Sequence, residues 1–232
     1  MKTSKITSIF LGVGLLLSTH ITHAAFAMNQ TDSDRAKQVA ELLIALYAQA
    51  PHDPTWVNIQ FGAAIAGISV NEASALPKIP SPTSMAEAAL SAPYTTQEMA
   101  KVAPVIDQQM SIQSNIAKSC KLNGEMTQPT KTSYEFPVSC QIPVVDWKAL
   151  QKPAANPKIS DAKNFIIMLD WVNAVMLKAP QQNINTFIRL DQIGNRLIPN
   201  ITDGKYFPVS LTLAISNVSE ERQGKQRLRL GP

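Results

Sequence analysis

Tyr134-Glu135-Phe136-Pro137-Val138-Ser139-Cys140-Gln141-Ile142-Pro143-Val144 is the stretch that sets the fold class. Tyr134, Phe136, Val138, Cys140, Ile142 and Val144 share one parity, while Glu135, Ser139 and Gln141 take the other. A period of two with one apolar face is the pattern of a half-buried strand. Upstream, Met110, Ile112, Ile116, Cys120 and Leu122 share a parity of their own, a weaker form of the same signal. Asn123-Gly124 and Gln128-Pro129 supply turn chemistry between the two. Folded as an antiparallel hairpin centred near Thr130, the segments place Cys120 opposite Cys140, Leu122 opposite Val138 and Ile116 opposite Val144.

Those two cysteines are the only ones in the chain. An even count in an exported protein points to a disulfide. A separation of 20 residues is not the spacing of a redox Cys-x-x-Cys motif, and no histidine stands near to complete a metal site. Cys120 and Cys140 are therefore expected to form a structural bridge.

The expectation of export comes from residues 1–27. Lys2 and Lys5 precede an apolar run from Ile9 to Leu17, which is short for a bilayer span, and Ala25-Phe26-Ala27 fits a small-x-small cleavage pattern. Cleavage after Ala27 would leave Met28 as the mature start; Ala24 is the other candidate, and an uncleaved anchor the alternative. Removing 27 of the 232 residues leaves 205 and lowers the formal charge from +4 to +2. So small a charge gives no footprint for nucleic acid. The overall composition, 45% hydrophobic and 16% charged with a mean hydropathy of -0.04, suits a folded globular chain rather than a disordered or polytopic one. After the leader the longest strongly apolar block is Phe165 to Leu169, so no integral membrane segment is expected.

Around the cysteine hairpin the chain reads as follows. Ala36 to Ala50 has helical spacing, stopped by Pro51. Asp53-Pro54 resembles a helix start leading through Ile68, and Gly62 to Gly67 is a smooth stretch suited to close helix packing. Pro77 to Pro82 reads as a loop. Ser84-Met85-Ala86-Glu87 and Thr95-Thr96-Gln97-Glu98 are capping-box patterns opening helices that Pro93 and Pro104 limit. Pro143, Pro153 and Pro157 mark a loop. Ser160 or Asp161 then caps a helix through Lys178, closed by Pro180. Ile184 to Leu190 is strand-like, Gly194 suggests a bulge or bend, and Thr202-Asp203-Gly204 a hairpin turn. Phe207, Val209, Leu211, Leu213 and Ile215 alternate as a last strand.

The expected fold class is thus α+β. N-terminal helices (28–105) precede a disulfide-containing α+β region (106–218), ordered strand-strand-helix-strand-strand with helices on one face of a small antiparallel sheet. A basic tail, 219–232, follows; 28–218 can also be a single domain.

The chemistry available is thin. Without the leader, His52 in the Pro51-His52-Asp53-Pro54 turn is the only histidine. Zinc sites and serine triads lose their usual ligands and bases. Seven of the nine glycines remain, none in a phosphate-cradling pattern. No catalytic residue, metal or cofactor is expected. Two acid–aromatic pairs stand out, Asp146-Trp147 and Asp170-Trp171. Such a ring stacks on a sugar face while the carboxylate binds hydroxyls or does acid–base work, although the same pair also serves as a core anchor beside a solvated acid. Asn29, Asn200 and Asn217 head N-x-S/T sequons, which matter only in a glycosylating host. Two functions are expected from this inventory. One is an exported, non-catalytic protein, periplasmic or extracellular, whose partner is another protein: an envelope accessory factor, or an inhibitor or immunity protein. The alternative is a carboxylate-dependent polysaccharide hydrolase or sugar-binding module built on Asp146, Trp147, Asp170 and Trp171.

Overall fold

A computed structural model describes residues 32–49, 56–76, 80 and 82–216. The leader (1–27), His52, the Asp53-Pro54 helix start, the sequons at Asn29 and Asn217 and the tail 219–232 lie outside the described residues.

Five helices come first: α1 (Asp32–Ala48), α2 (Trp56–Ala66), α3 (Val70–Ser74), α4 (Pro82–Ser91) and α5 (Thr96–Ser119). Strands β1 (Lys121–Leu122), β2 (Thr127–Thr130) and β3 (Ser133–Pro143) follow, then α6 (Asp161–Lys178), β4 (Gln181–Ile193), β5 (Arg196–Pro199) and α7 (Val209–Ser216). The sheet is antiparallel in the order β1-β3-β4-β5, with β2 also on β3. The class is α+β, with helices packed on the sheet.

β3 is the strand its alternation predicts. Tyr134, Phe136, Val138, Cys140 and Ile142 are all buried and join Ile188, Leu190 and Leu197 in the main core. Val39, Leu43 and Tyr47 of α1 and Ile112, Ile116 and Ala117 of α5 close that core from above. The bridge Cys120–Cys140 is formed. Leu122 pairs with Val138 as expected, but β2 pairs in a shifted register, so the turn falls at Lys131-Thr132.

Three segments depart from the sequence reading. Residues 110–119 are helix, not strand: α5 runs to Ser119 and only Lys121–Leu122 pairs with β3. Pro104 does not limit α5 either. It lies on an exposed face, where losing one amide donor costs less than breaking the two apolar faces that the helix serves. Val102, Ile106 and Met110 bury against α4 and α6 in a smaller second core, while Ile112 and Ile116 turn to the main one. Residues 209–216 are α7, not a strand, and Thr202-Asp203-Gly204 is a loop turn rather than a hairpin; the hairpin turn sits at Gly194, φ +61, between β4 and β5.

Capping follows local chemistry with one exception. Thr95 caps α5: its hydroxyl donates to Glu98 Oε2 at 2.8 Å, its amide to the same oxygen at 3.0 Å, and Glu98 N–H returns to Thr95 Oγ1 at 3.4 Å. Ser69 and Glu72 form an equivalent box at α3 that the sequence reading passed over. The box expected at Ser84 is absent as a cap, because Pro82 takes the first turn of α4 and leaves Ser84 inside the helix. The Thr95 backbone and hydroxyl hydrogen bonds hold the Glu98 carboxyl below the usual range. A depressed carboxylate contributes stability above its unfolded pKa and loses it as pH falls through its folded one. Thr95→Ala is expected to cost about 1 kcal/mol at neutral pH. Urea midpoints of variant and parent should converge on acidification below the normal glutamate range.

α2 ends where Gly67 turns left-handed at φ +67, its N–H and that of Ile68 both donating to Ala63 O. Arg35 of α1 lies across this helix end: a Cβ on Gly67 would stand 2.1 Å from Arg35 Nη1. The positive side chain meets the negative end of the helix dipole. Gly62, at the other end of the smooth stretch, faces open space and makes no close approach. Gly67→Ala is expected to destabilise by about 1–2 kcal/mol from the left-handed backbone alone. Gly62→Ala should be neutral or stabilising in the same thermal melt, which separates backbone strain from helix propensity.

Candidate functional site

Two surfaces gather chemistry. The first contains the acid–aromatic pairs. After β3 the chain is pinned by Val144 N–H on Pro180 O at 2.9 Å, then turns, with Asp146 Oδ1 accepting from Lys148 N–H at 3.1 Å. The turn folds Trp147 back on the main core, where its indole N–H donates to Ile215 O of α7 at 2.6 Å. Trp171 comes from α6, whose start is set by Ser160 capping Lys163 N–H and whose rotation is fixed by fully buried Asn173. Asn173 Nδ2 donates to Val105 O of α5 at 2.9 Å. The two indoles meet with centroids 5.8 Å apart and planes at 59°. Both rings are half-buried; Asp146 and Asp170 are exposed beside them. Segments 24 residues apart in sequence therefore share one patch, although the Asp146 carboxylate is partly engaged by its own turn.

The second surface is the outer face of the sheet. Register places Glu135 opposite Arg189 and Pro137 opposite Phe187. Arg189 Nε donates to Asp191 Oδ1 at 3.0 Å, and Nη1 to Glu135 Oε1 at 3.2 Å and to the Tyr206 hydroxyl at 3.3 Å. The Tyr206 hydroxyl donates to Glu135 Oε1 at 3.0 Å, and the guanidinium carbon lies 5.8 Å from its ring centroid. Hydrogen bonds donated by Arg189 to Tyr206 and Asp191 push its pKa further up, so its charge is permanent. Around this network Phe187 (44% exposed), Ile193 (64%) and Ile198 (40%) present apolar side chains to solvent.

No protein-family model, curated protein or solved structure matches this chain.

An apolar cleft between α1, α5 and α7, lined by Tyr47, Ile116, Phe207 and Leu211, encloses only about 50 Å³. That is far below the several hundred cubic ångströms of a small-molecule site. Burial lifts the Tyr47 hydroxyl well above its usual pKa, so it stays neutral there. Among the described residues no three His, Cys, Asp or Glu side chains cluster as metal ligands, and no helix is long and apolar enough to cross a membrane.

Sequence reasoning missed the outer-face network. Glu135 was visible as a polar-face residue, but Arg189 and Tyr206 join it only through the β3–β4 register and the loop after β5. One signal was present: Phe187 and Ile193 fall out of phase with buried Ile188 and Leu190, on the parity that should be polar.

Proposed function

We propose that this is an exported, non-catalytic protein that acts by binding another protein through the outer face of its sheet. An envelope accessory factor, or an inhibitor or immunity protein, are concrete forms of that role. The observation that carries the reading is the setting of Arg189 and Tyr206. Arg189 is held by Glu135 and Asp191, Tyr206 by Glu135 and Arg189, and the group is bordered by exposed Phe187, Ile193 and Ile198. Fixed Arg and Tyr side chains beside apolar anchors are what interface hot spots are made of, because little side-chain freedom remains to be lost on docking. The bridge Cys120–Cys140 supports export, since such a bond persists in oxidising compartments.

The test is affinity capture from envelope extract with the parent and with Phe187→Glu plus Ile198→Glu. Both positions are exposed, so the double variant should keep the parental circular dichroism and melt. A partner held by the parent and lost by the variant supports the reading. Equal capture by both, or no enriched partner, counts against it.

A second reading is favoured by a different observation, the meeting of Trp147 and Trp171 beside Asp146 and Asp170. It is a sugar-binding patch for a cell-wall or extracellular polysaccharide. Titration with soluble wall-polymer fragments should perturb indole fluorescence in the parent and leave Trp171→Ala unresponsive; a flat titration of the parent removes this reading.

A further inference from the structure

In an antiparallel ladder, residues directly opposite turn their main-chain groups either toward each other or away together. On β3 those of Pro137 and Gln141 turn away from β4: Pro137 O accepts from Asn123 N–H at 2.8 Å, and Gln141 N–H donates to Ser119 Oγ at 2.9 Å. Their register partners are Phe187 and Asn183. These two, and by alternation Gln181 and Asn185, therefore aim N–H and C=O to the far side of β4. Along that side Asn200 N–H reaches Arg189 O at 2.8 Å, and Phe207 N–H reaches Phe187 O at 2.8 Å. Beyond Phe187 the pairing stops. Gln181, Asn183 and Asn185 are exposed, and among the described residues nothing hydrogen-bonds their outward main-chain groups.

Open edges are commonly guarded by charge, by proline or by a bulge. Residues 181–185, Gln-Gln-Asn-Ile-Asn, carry no charge and no proline, and their register with β3 is unbroken. The sequence is also complementary to itself. An amide side chain both donates and accepts, so Asn or Gln can face its own copy, where lysine or glutamate would meet a like charge. We propose that the edge at residues 181–185 pairs with the same edge of a second copy, antiparallel about a two-fold axis at Asn183, to make one sheet across two chains. Asn183 then lies opposite Asn183 of the second copy and Gln181 opposite its Asn185, each pair exchanging both main-chain hydrogen bonds. The pairing uses no residue of the Arg189–Tyr206 network or of the indole pair, and holds or fails apart from both functional readings.

A contact built on one short strand is small, so a Kd of the order of 100 μM is expected. Sedimentation velocity of the mature full chain from about 10 μM to about 1 mM should show a monomer passing to a dimer. Over the same range the amides of Gln181, Asn183 and Asn185 should slow in hydrogen exchange, while those of Gln182 and Ile184, which face β3, stay protected throughout. Asn183→Lys sets like charges opposite each other, and Asn183→Pro removes an outward N–H; each should weaken the dimer by roughly tenfold or more. Neither substitution removes a described hydrogen bond of the monomer, and an unchanged circular dichroism spectrum confirms the fold. Ile193→Glu with Ile198→Glu, on the outer face away from this edge, should leave the dimer intact. A monomer at every concentration overturns the proposal. So does a dimer lost in the Ile193/Ile198 variant but kept in Asn183→Lys, which moves the contact to the outer face. Edge amides already protected in the dilute monomer overturn it as well, by showing that the chain covers its own edge.

Discussion

Phe207→Ala is expected to remove roughly 3–5 kcal/mol of stability, the usual cost of deleting a buried phenyl ring. Phe207 is 1% exposed and one of the largest fully buried side chains. Its ring stands edge-on to Tyr47 at 5.4 Å and 82°, which joins the loop before α7 to the C-terminal end of α1. Its backbone N–H donates to Phe187 O at 2.8 Å, which fixes the same loop to β4. Truncation leaves a void that opens into the cleft already lined by Tyr47 and Leu211, and α1 cannot shift to close it while it is packed on both α2 and α5. A domain of this size commands about 5–15 kcal/mol in all. Urea denaturation followed by far-UV circular dichroism should show a midpoint lowered by a large fraction of the parental value at a similar slope. A change smaller than that of Thr95→Ala would mean that Phe207 is not a core residue.

Opening the Cys120–Cys140 bridge should cost about 3 kcal/mol by loop-closure entropy for a separation of 20 residues. The bridge joins the C-cap of α5 to the middle of β3, with Lys121–Leu122 pairing alongside. Both sulfurs are buried, so the double replacement Cys120→Ala, Cys140→Ala adds a packing loss to the entropic one. Reduction with dithiothreitol should lower the urea midpoint. It should also raise amide exchange first at Lys121 and Leu122, because β1 has only β3 as a strand partner. Coincident denaturation curves for the oxidised and reduced protein would show that the bridge constrains little.

How much of the fold was legible varied with how local its causes are. α6 was read from Ser160 to Lys178 because cap, apolar repeat and closing Pro180 lie within one contiguous segment. The Thr95 box and the β3 alternation were legible for the same reason. In 110–119, apolar residues two and four apart fit either a strand face or two faces of a helix. The matter is decided by α5 having separate cores on two sides. Val209 to Ser216 is eight residues long, too short for periodicity to separate helix from strand. There the packing of Val209 and Leu211, and the N–H of Ser210 on Tyr206 O, made the choice. The candidate patches divide in the same way. Each Asp-Trp pair was visible as a dipeptide, but nothing local says that Trp147 and Trp171 meet, or that Arg189 reaches both Glu135 and Tyr206.

By itself the sequence determined the α+β class, the capped helix α6, the buried face of β3 and the pairing of its two cysteines. Each of these is a periodicity, a cap or a count, and so is written within a few turns of chain. The tertiary structure alone decided that α5 passes through Pro104 to the disulfide, that the last apolar run coils as α7, and which side chains meet on the two exposed surfaces. Those outcomes depend on apolar burial and strand register between segments far apart in sequence, energies that no single segment carries.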